Sequence, residues 1–416
     1  MSEPDAPPAA ALGAFPAMRY PGFRAQFATF VLAMMADNIE HVISYWVLFQ
    51  KFNSPALGGF AIVSHWLPFL LFSVASGVLA DRFDPRRIIQ CGMGLFITAS
   101  LAWGYFFITG TLQVWQAMVI LVIHGCAGVL WATPNQLLIY DIVGPADLES
   151  AVRLNATARY LGVLVGPGVG GAILLMLGPA HGILLNTLFY LPLVLWLVNA
   201  PYGPRFRKGE SPPRRAVRGL TDIVHTMRDI SDHSIIVSMT LLAGAGAAFI
   251  GTGYSAQMPS FAHDLGHGDP GLSYSLLLAG DAGGGFLAGV VLEGGGLLPP
   301  KARTAIVLAI VWCGSLVGFA LAPSYGVALV LLFAAGFLEL SFNAMAQTLV
   351  QLHAPFDMRG RVIGLFNMAS LGLRAFSGVS VGLLGSLIGV HWSLSFSALA
   401  VLAIALWLFA RLRATD

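Results

Sequence analysis

Long apolar runs recur along the whole chain, separated by short polar breaks. They lie at about 25–50, 57–80, 88–108, 114–141, 151–177, 181–199, 233–258, 271–297, 303–321, 326–350, 361–388 and 392–410. Each can cross roughly 30 Å of hydrocarbon as a helix. Inside a bilayer a backbone must satisfy its own hydrogen bonds, which favours helices for runs of this length. The pattern therefore predicts an all-α polytopic protein with twelve transmembrane helices, its connections alternating between two sides.

Composition agrees. Mean hydropathy is +0.77, and charged residues make up 10% of the chain, against roughly 25% in soluble domains. A soluble enzyme is excluded on that ground. The placement of charge gives an orientation. Of the 22 Lys and Arg, all fall on one side except Lys51, on the other side, and Arg159 and Arg374, inside spans. The positive-inside rule then puts both termini in the cytoplasm. The one long cytoplasmic connection, 200–232, is basic and holds Pro201, Pro204, Pro212 and Pro213. A linker resting on an anionic membrane surface explains it better than a nucleic-acid site, with room for a surface helix near 216–231. It divides a first six-helix bundle, 19–199, from a second, 233–416. Residues 1–18 lack a basic stretch followed by an apolar one and read as a disordered tail rather than a signal peptide. Cys91, Cys126 and Cys313 lie in apolar runs and suggest neither disulfides nor a metal site.

The halves repeat weakly. Pro145-x-Asp147 follows the fourth span and Pro355-x-Asp357 the tenth. Gly162, Gly166 and Gly170 in the fifth span are echoed by Gly378 and Gly382 in the eleventh. Between the second and third spans stands Gly77-Val-Leu-Ala-Asp81-Arg82-Phe-Asp84-Pro-Arg86-Arg87. Gly77 permits close helix approach. Asp81 is placed to accept from a helix N-terminus or a neighbouring arginine. Arg82, Arg86 and Arg87 are expected to face lipid headgroups. The string resembles the loop signature of the major facilitator superfamily of secondary transporters, whose loop latches the two halves in the outward-facing state. Arg359 and Arg361 are its candidate partners. Where the superfamily often has Gly this chain has Asp84, and the Arg-Phe-Asp-x-Arg-Arg form resembles the subgroup of enterobactin exporters and macrolide efflux carriers.

Gly162-x3-Gly166-Pro167-x2-Gly170-Gly171 allows tight helix packing, and Pro167 removes a helix hydrogen bond. The string resembles the motif of the superfamily's antiporter branches, with Arg153 near the place of an upstream glycine. Pro134 to Leu148 with Asn155-Ala, and Gln347 to Val362, resemble the subgroup's fourth-to-fifth and tenth-to-eleventh connections. The resemblance spans about 19–411. It implies a pseudo-symmetric pair of bundles rocking around a central site.

Polar groups inside a membrane are functional candidates by default. Asp37, His41 and Ser44 share one face of the first span and Glu40 lies beside it. Asp37 or Glu40 is the leading candidate to carry a coupling proton, with a structural ion pair to Arg159 or Arg374 as the alternative. Glu339, Asp281, His41 and His124 are further proton candidates. The helix is expected to break after Asp281, at Gly283–Gly285. His124 stands where the superfamily often has an arginine. Asp37, His41, Tyr45, Arg159, Arg374, Glu339 and Asn343 are candidates for substrate contact, and His65 reads as a packing residue. Tyr45, Trp46, Trp66, Trp103, Trp131 and Phe342 are divided between a pocket and the lipid interface. Asp37-x3-His41 has metal-ligand spacing and resembles the first-span pair of ferroportins, iron exporters distant within the superfamily. Their second Cys/His pair has no match here, so no metal is assigned. His263-Asp264-x2-His267-x-Asp269 reads as a solvated loop.

No Gly-x4-Gly-Lys-Ser/Thr string is present, and no cofactor is implied. The resemblance implies a monomeric, multi-pass bacterial inner-membrane carrier, not an enzyme, exporting a small organic compound such as a drug or siderophore against protons. A divalent-metal exporter using Asp37 and His41, and a transport-inactive scaffold or sensor, are the competing readings.

Overall fold

The structure, a computed structural model, describes residues 15–52, 55–206, 221–265, 272–295 and 298–413. The described residues contain no strand. The helices are α1 (Pro21–Phe52), α2 (Pro55–Arg82), α3 (Pro85–Thr109), α4 (Val114–Val143), α5 (Leu148–Asn199), α6 (Thr221–Asp229), α7 (Ser234–Phe249), α8 (Met258–Asp264), α9 (Leu272–Gly295), α10 (Ala302–Ala320), α11 (Tyr325–His353), α12 (Arg359–Ser370), α13 (Leu384–Ile388) and α14 (Val390–Arg413). Eight stretches among the described residues are long and apolar enough to cross a membrane, and α7 and the middle of α9 are shorter apolar helices. α1 is 32 residues long but is diluted by charge at Arg24, Asp37, Glu40 and Lys51. The 52-residue α5 holds two crossings, because Gly178 (φ 72, ψ 171) reverses the chain between them. That backbone region is open only to glycine. With α5 counted twice, the twelve expected crossings are present.

Several boundaries differ from the expected ones, each for a local reason. The seventh crossing stops at Phe249 instead of 258. Gly251 there takes φ +44, and Gly253 lies where a Cβ would meet the Ser377 carbonyl at 2.5 Å. α9 is not broken at Gly283–Gly285. A Cβ at Gly284 would sit 1.9 Å from the Phe333 carbonyl oxygen, so that glycine serves close packing against α11. The eleventh crossing is irregular. After α12 come a 3-10 turn (Gly372–Phe376) and a π-helical turn (Gly378–Leu383) before α13. Gly372 abuts the backbone of Leu70, where a Cβ would lie at 2.5 Å. Pro167 lies inside continuous helix. Gly162, Gly166 and Gly170 face α1, where a Cβ would meet Met34 at 2.7 Å, Asn38 at 2.6 Å and Ile39 at 3.2 Å, whereas Gly171 faces nothing within 4 Å.

One hydrophobic core fills the second half around Met239, Trp312, Phe319 and Leu394. Two fill the first half, around Phe96, Trp131 and Tyr190 and around Ile39, Ile43 and Trp103. Pro16–Arg19 form a 3-10 turn. Ala17 is buried and donates its N–H to Ser150 Oγ at 3.0 Å. A tail over 1–18 is therefore too long by these residues, and its earlier part lies outside the described ones. Residues 207–220 of the 200–232 linker also lie outside them. α6 falls within the surface helix expected there.

Candidate functional site

Three polar clusters occupy the interior. In the first half, Asp37, Glu40 and His41 of α1 meet His65 of α2 and His124 of α4. Their convergence follows from a glycine. A Cβ on Gly125 would lie 2.0 Å from the Ser64 carbonyl oxygen, so α4 and α2 touch backbone to backbone beside both histidines. His124 lies between the two acids, with Nε2 at 2.9 Å from Asp37 Oδ1 and Nδ1 at 2.9 Å from Glu40 Oε1. Ser100 Oγ donates to Glu40 Oε2. The imidazoles of His41, His65 and His124 stand 4.8 to 5.7 Å apart, centre to centre. Tyr45 stacks near His41 at 5.1 Å. Neither Arg159 nor Arg374 pairs with Asp37 or Glu40, so the arginine ion pair weighed from sequence is replaced by His124. His65, read as a packing residue, belongs to this cluster. Ser44 does not: its hydroxyl donates to the Glu40 carbonyl at 2.6 Å.

In the second half, Gly336 admits α9, since a Cβ there would lie 2.0 Å from the Asp281 carbonyl oxygen. Asp281 is thereby held near Glu339, one turn along α11. The Tyr254 hydroxyl, in the turn after α7, reaches both: Asp281 Oδ2 at 2.9 Å and Glu339 Oε2 at 3.5 Å. A hydroxyl has one proton, so it donates to only one acid at a time. Asp281 Oδ1 is buried with no hydrogen-bond partner. Arg374 stands 3.7 Å from Glu339 Oε1, and its guanidinium lies 5.2 Å from the centre of the Trp66 ring, across the seam. Asn343 donates to the Glu339 carbonyl at 3.1 Å.

Within the first half, bordered by Gln347 and Leu371 of the second, lies a cavity of about 140 Å³, walled by the rings of Phe30, Trp66, Phe69, Phe96 and Trp131, with Asp37, His65 and Arg159 on its lining. A smaller void of about 40 Å³ adjoins it, where Arg159 and Arg374 face Gln136, Asn343 and Gln347. No carboxylate among the described residues lies within ion-pair distance of Arg159. Its guanidinium stands 6.0 Å from the Tyr160 ring centre. Of the other aromatic candidates, Trp103 and Phe342 are core residues, while Tyr45 and Trp46 are exposed.

The third cluster closes one end of the seam, the end carrying residues 77–87. Asp81 accepts from the backbone N–H of Gly360 (2.7 Å) and of Arg361 (3.1 Å), capping the start of α12 where the helix dipole favours an anion. Contact at this range requires glycine on both sides. A Cβ at Gly77 would lie 2.0 Å from the Gly360 carbonyl oxygen. The arginine side chains expected to face Asp81 go elsewhere: Arg361 to Asp229 of α6 at 3.9 Å, and Arg359 over the Tyr140 ring at 3.9 Å. Arg82 and Arg87 are exposed, but Arg86, expected to face headgroups with them, does not. It is buried, forks onto Asp84 and donates to the Ala200 carbonyl. Asp84 also caps α3 through the Arg86 N–H at 3.0 Å, and this explains an acid followed by Pro85 at that place. Further bonds cross the seam: Gln136 to Asn367 at 3.0 Å, Gln351 to Gln136 at 3.2 Å, and Arg153 to the Leu292 carbonyl at 3.2 Å.

Sequence reasoning missed Tyr254, Gln136, Asn367, Gln351 and the cross-seam role of Arg153. A tyrosine beside two glycines and amides inside apolar runs were the available signals. His263 and Asp264 lie on the opposite end, with His391 Nε2 3.3 Å from Asp264 Oδ2. His267 and Asp269 lie outside the described residues.

The family model of the transmembrane secretion effectors matches residues 12–416. The enterobactin exporter EntS of Shigella boydii serotype 4 is 23% identical over 402 residues, covering 94% of this chain and 91% of that protein. An uncharacterised transporter of the superfamily from Bacillus subtilis, YfiS, is 22% identical over 412 residues, covering 93% and 92%. Among solved structures, the fucose:proton symporter FucP of E. coli superposes with a TM-score of 0.73 at 14% identity, covering 94% of this chain and 98% of that one. These likenesses, with the fold, make the chain a multi-pass bacterial inner-membrane transporter and not an enzyme. It belongs to the transmembrane secretion effector family of the major facilitator superfamily.

Proposed function

We propose that this chain is a proton-coupled exporter of a small aromatic organic anion, working by alternating access. One observation carries the substrate class. Arg159, with no carboxylate at ion-pair distance among the described residues, is set into a cavity walled by five aromatic rings. An arginine at such depth needs an anion or water, and the rings give flat faces for an aromatic body. Export is supported by the fifth-span glycine string and by the likeness to a protein named as an enterobactin exporter.

The coupling proton, in this reading, resides on Asp281 and Glu339. Asp281 meets no cation among the described residues and has an oxygen without a partner. A proton there removes the unbalanced charge, and Tyr254 connects the two acids. This moves the coupling role from Asp37 and Glu40, whose negative charge already faces His124. The segments 19–199 and 233–416 act as the two moving bodies of a monomer, with both termini cytoplasmic by the distribution of Lys and Arg. The closed end of the seam is then the cytoplasmic one.

Proteoliposomes loaded with a pH dye test this. Aromatic carboxylates and catecholates are expected to drive proton flux, and lipophilic cations are not. Arg159→Gln should abolish the response to anions, and Asp281→Asn should uncouple protons from substrate. Equal flux from Arg159→Gln and the parent would sink the substrate assignment. Full coupling in Asp281→Asn would sink the proton assignment.

A further inference from the structure

We infer that the first half contains a binding site for a divalent transition-metal ion, built by His41, His65 and His124 with Asp37. Ring nitrogens of the three histidines lie within 4.8 Å of one another. They come from three helices, α1, α2 and α4, so no local helical spacing explains the gathering. His65 Nδ1 is buried with no hydrogen-bond partner among the described residues. His124 Nε2 and Asp37 Oδ1 pair with each other at 2.9 Å, without the alignment of a hydrogen bond. Buried polar atoms are almost always partnered, and an unpartnered imidazole nitrogen beside two more imidazoles and a carboxylate is a place for an ion that accepts lone pairs, as a metal ion does.

The surroundings fit a metal better than they fit an arginine or a second proton. Glu40 accepts from His124 Nδ1 at 2.9 Å, so that Nε2, which otherwise pairs with Asp37, ligates when a metal ion displaces its proton. Ser100 in turn donates to Glu40. A carboxylate orienting a ligating histidine, itself hydrogen-bonded, is the usual outer support of a protein-bound metal. Charge also balances. Asp37 and Glu40 carry two negative charges, faced by His124 and by no Lys or Arg among the described residues, so a divalent ion that displaces the His124 proton neutralises them. Three imidazoles and one carboxylate suit zinc, cobalt or nickel, and not magnesium or calcium, which take oxygen ligands. A tetrahedral site needs nitrogens roughly 3.4 Å apart, so binding requires the imidazoles to turn about their side-chain torsions and close in from the present 4.8 Å. Asp37 and His65 both line the central cavity, so the ion has a way in. The site uses neither Arg159 nor the Asp281 pair and does not depend on the transport reading.

The test uses the full chain purified in detergent and freed of metal. Titration with Co²⁺ is expected to give the visible absorption of a tetrahedral nitrogen-ligated ion, saturating at one ion per chain and displaced by Zn²⁺. His65→Ala and His41→Ala should each weaken binding by more than about tenfold. Glu40→Gln, which leaves the four ligands in place and alters only the support of His124, should weaken it about 10- to 100-fold. X-ray absorption of the zinc-loaded parent protein needs no variant and should show imidazole scattering. Absence of binding in the monodisperse parent, equal affinity in His65→Ala, or an all-oxygen zinc shell would each overturn the site. Because the readout is binding alone, its failure leaves the anion-export reading to its own flux assay.

Discussion

Replacing Gly77 by alanine should open the closed end of the seam. The Cβ would stand 2.0 Å from the Gly360 carbonyl oxygen, against 3.4 Å for ordinary contact, so α2 and α12 must separate by about 1.4 Å to accommodate it. Both are backbone-limited there, and no flexible side chain can turn away. The two Asp81 bonds, at 2.7 and 3.1 Å, would then lengthen past about 4 Å and cease to be hydrogen bonds. Bonds to a charged group contribute about 1.5–3 kcal/mol each. Taking the lower figure, because water replaces part of each bond at this end, the closed arrangement loses about 3 kcal/mol, roughly a hundredfold in population. Spin labels at Phe83 and Phe356, both exposed, report the separation by pulsed electron resonance in a variant lacking Cys91, Cys126 and Cys313. The parent should show one short distance, and Gly77→Ala should shift most of the population to a longer one. Asp81→Asn keeps the acceptor but loses the charge, so its shift should be smaller. An unchanged distance distribution in Gly77→Ala would refute the claim that this glycine contact holds the end shut.

Three further outcomes are expected. Arg153→Leu removes the ion pair to Glu149 and the bond to the Leu292 carbonyl; it should cost about 1–3 kcal/mol, seen as a lower midpoint in thermal unfolding in detergent. Tyr254→Phe removes the hydroxyl between Asp281 and Glu339 and should slow substrate-driven proton flux about tenfold, one hydrogen bond's worth, without changing the expression level. Tyr20, outside the spans, donates to Asp147 Oδ2 at 2.8 Å, and that bond with the nearby negative charge raises its phenol above the ordinary value of 10.0. The neutral phenol is the form the fold favours, so its contribution is complete below pH 10 and fades as pH rises through the raised value. Tyr20→Phe should flatten the alkaline decline in stability.

The crossings were legible because apolar length alone dictates them, and Lys and Arg placement ordered the connections. The latch was half legible. The need for Gly77 and for an acid at Asp81 follows from the sequence pattern, but Asp81 takes backbone N–H groups of α12, and no residue type advertises a backbone donor. Arg86 looked like its exposed neighbours because burial depends on where Ala200 returns, which no local pattern encodes. The interior acids were found because charge in an apolar run is conspicuous. Their partners were harder to find. His124 and Tyr254 reach them only through the approaches permitted at Gly125 and Gly336, and a glycine shows that something is close without showing what.

The turn at Gly178 has a mechanical consequence. The arm before it bears Arg153, Thr157 and Tyr160, which press on α9 of the opposite half. The arm after it is anchored to its own half by Asn186, donating to the Ala36 carbonyl at 2.9 Å, and by Tyr190, stacked on Phe96 at 5.2 Å. One residue joins them, so the joint has no slack. A tilt of the first arm cannot be absorbed by an uncoiling loop and must arrive at the second as torque. The hairpin is a stiff lever whose fulcrum is a single glycine, and lengthening it by even a few inserted residues would let the seam move without turning the helix bundle behind it.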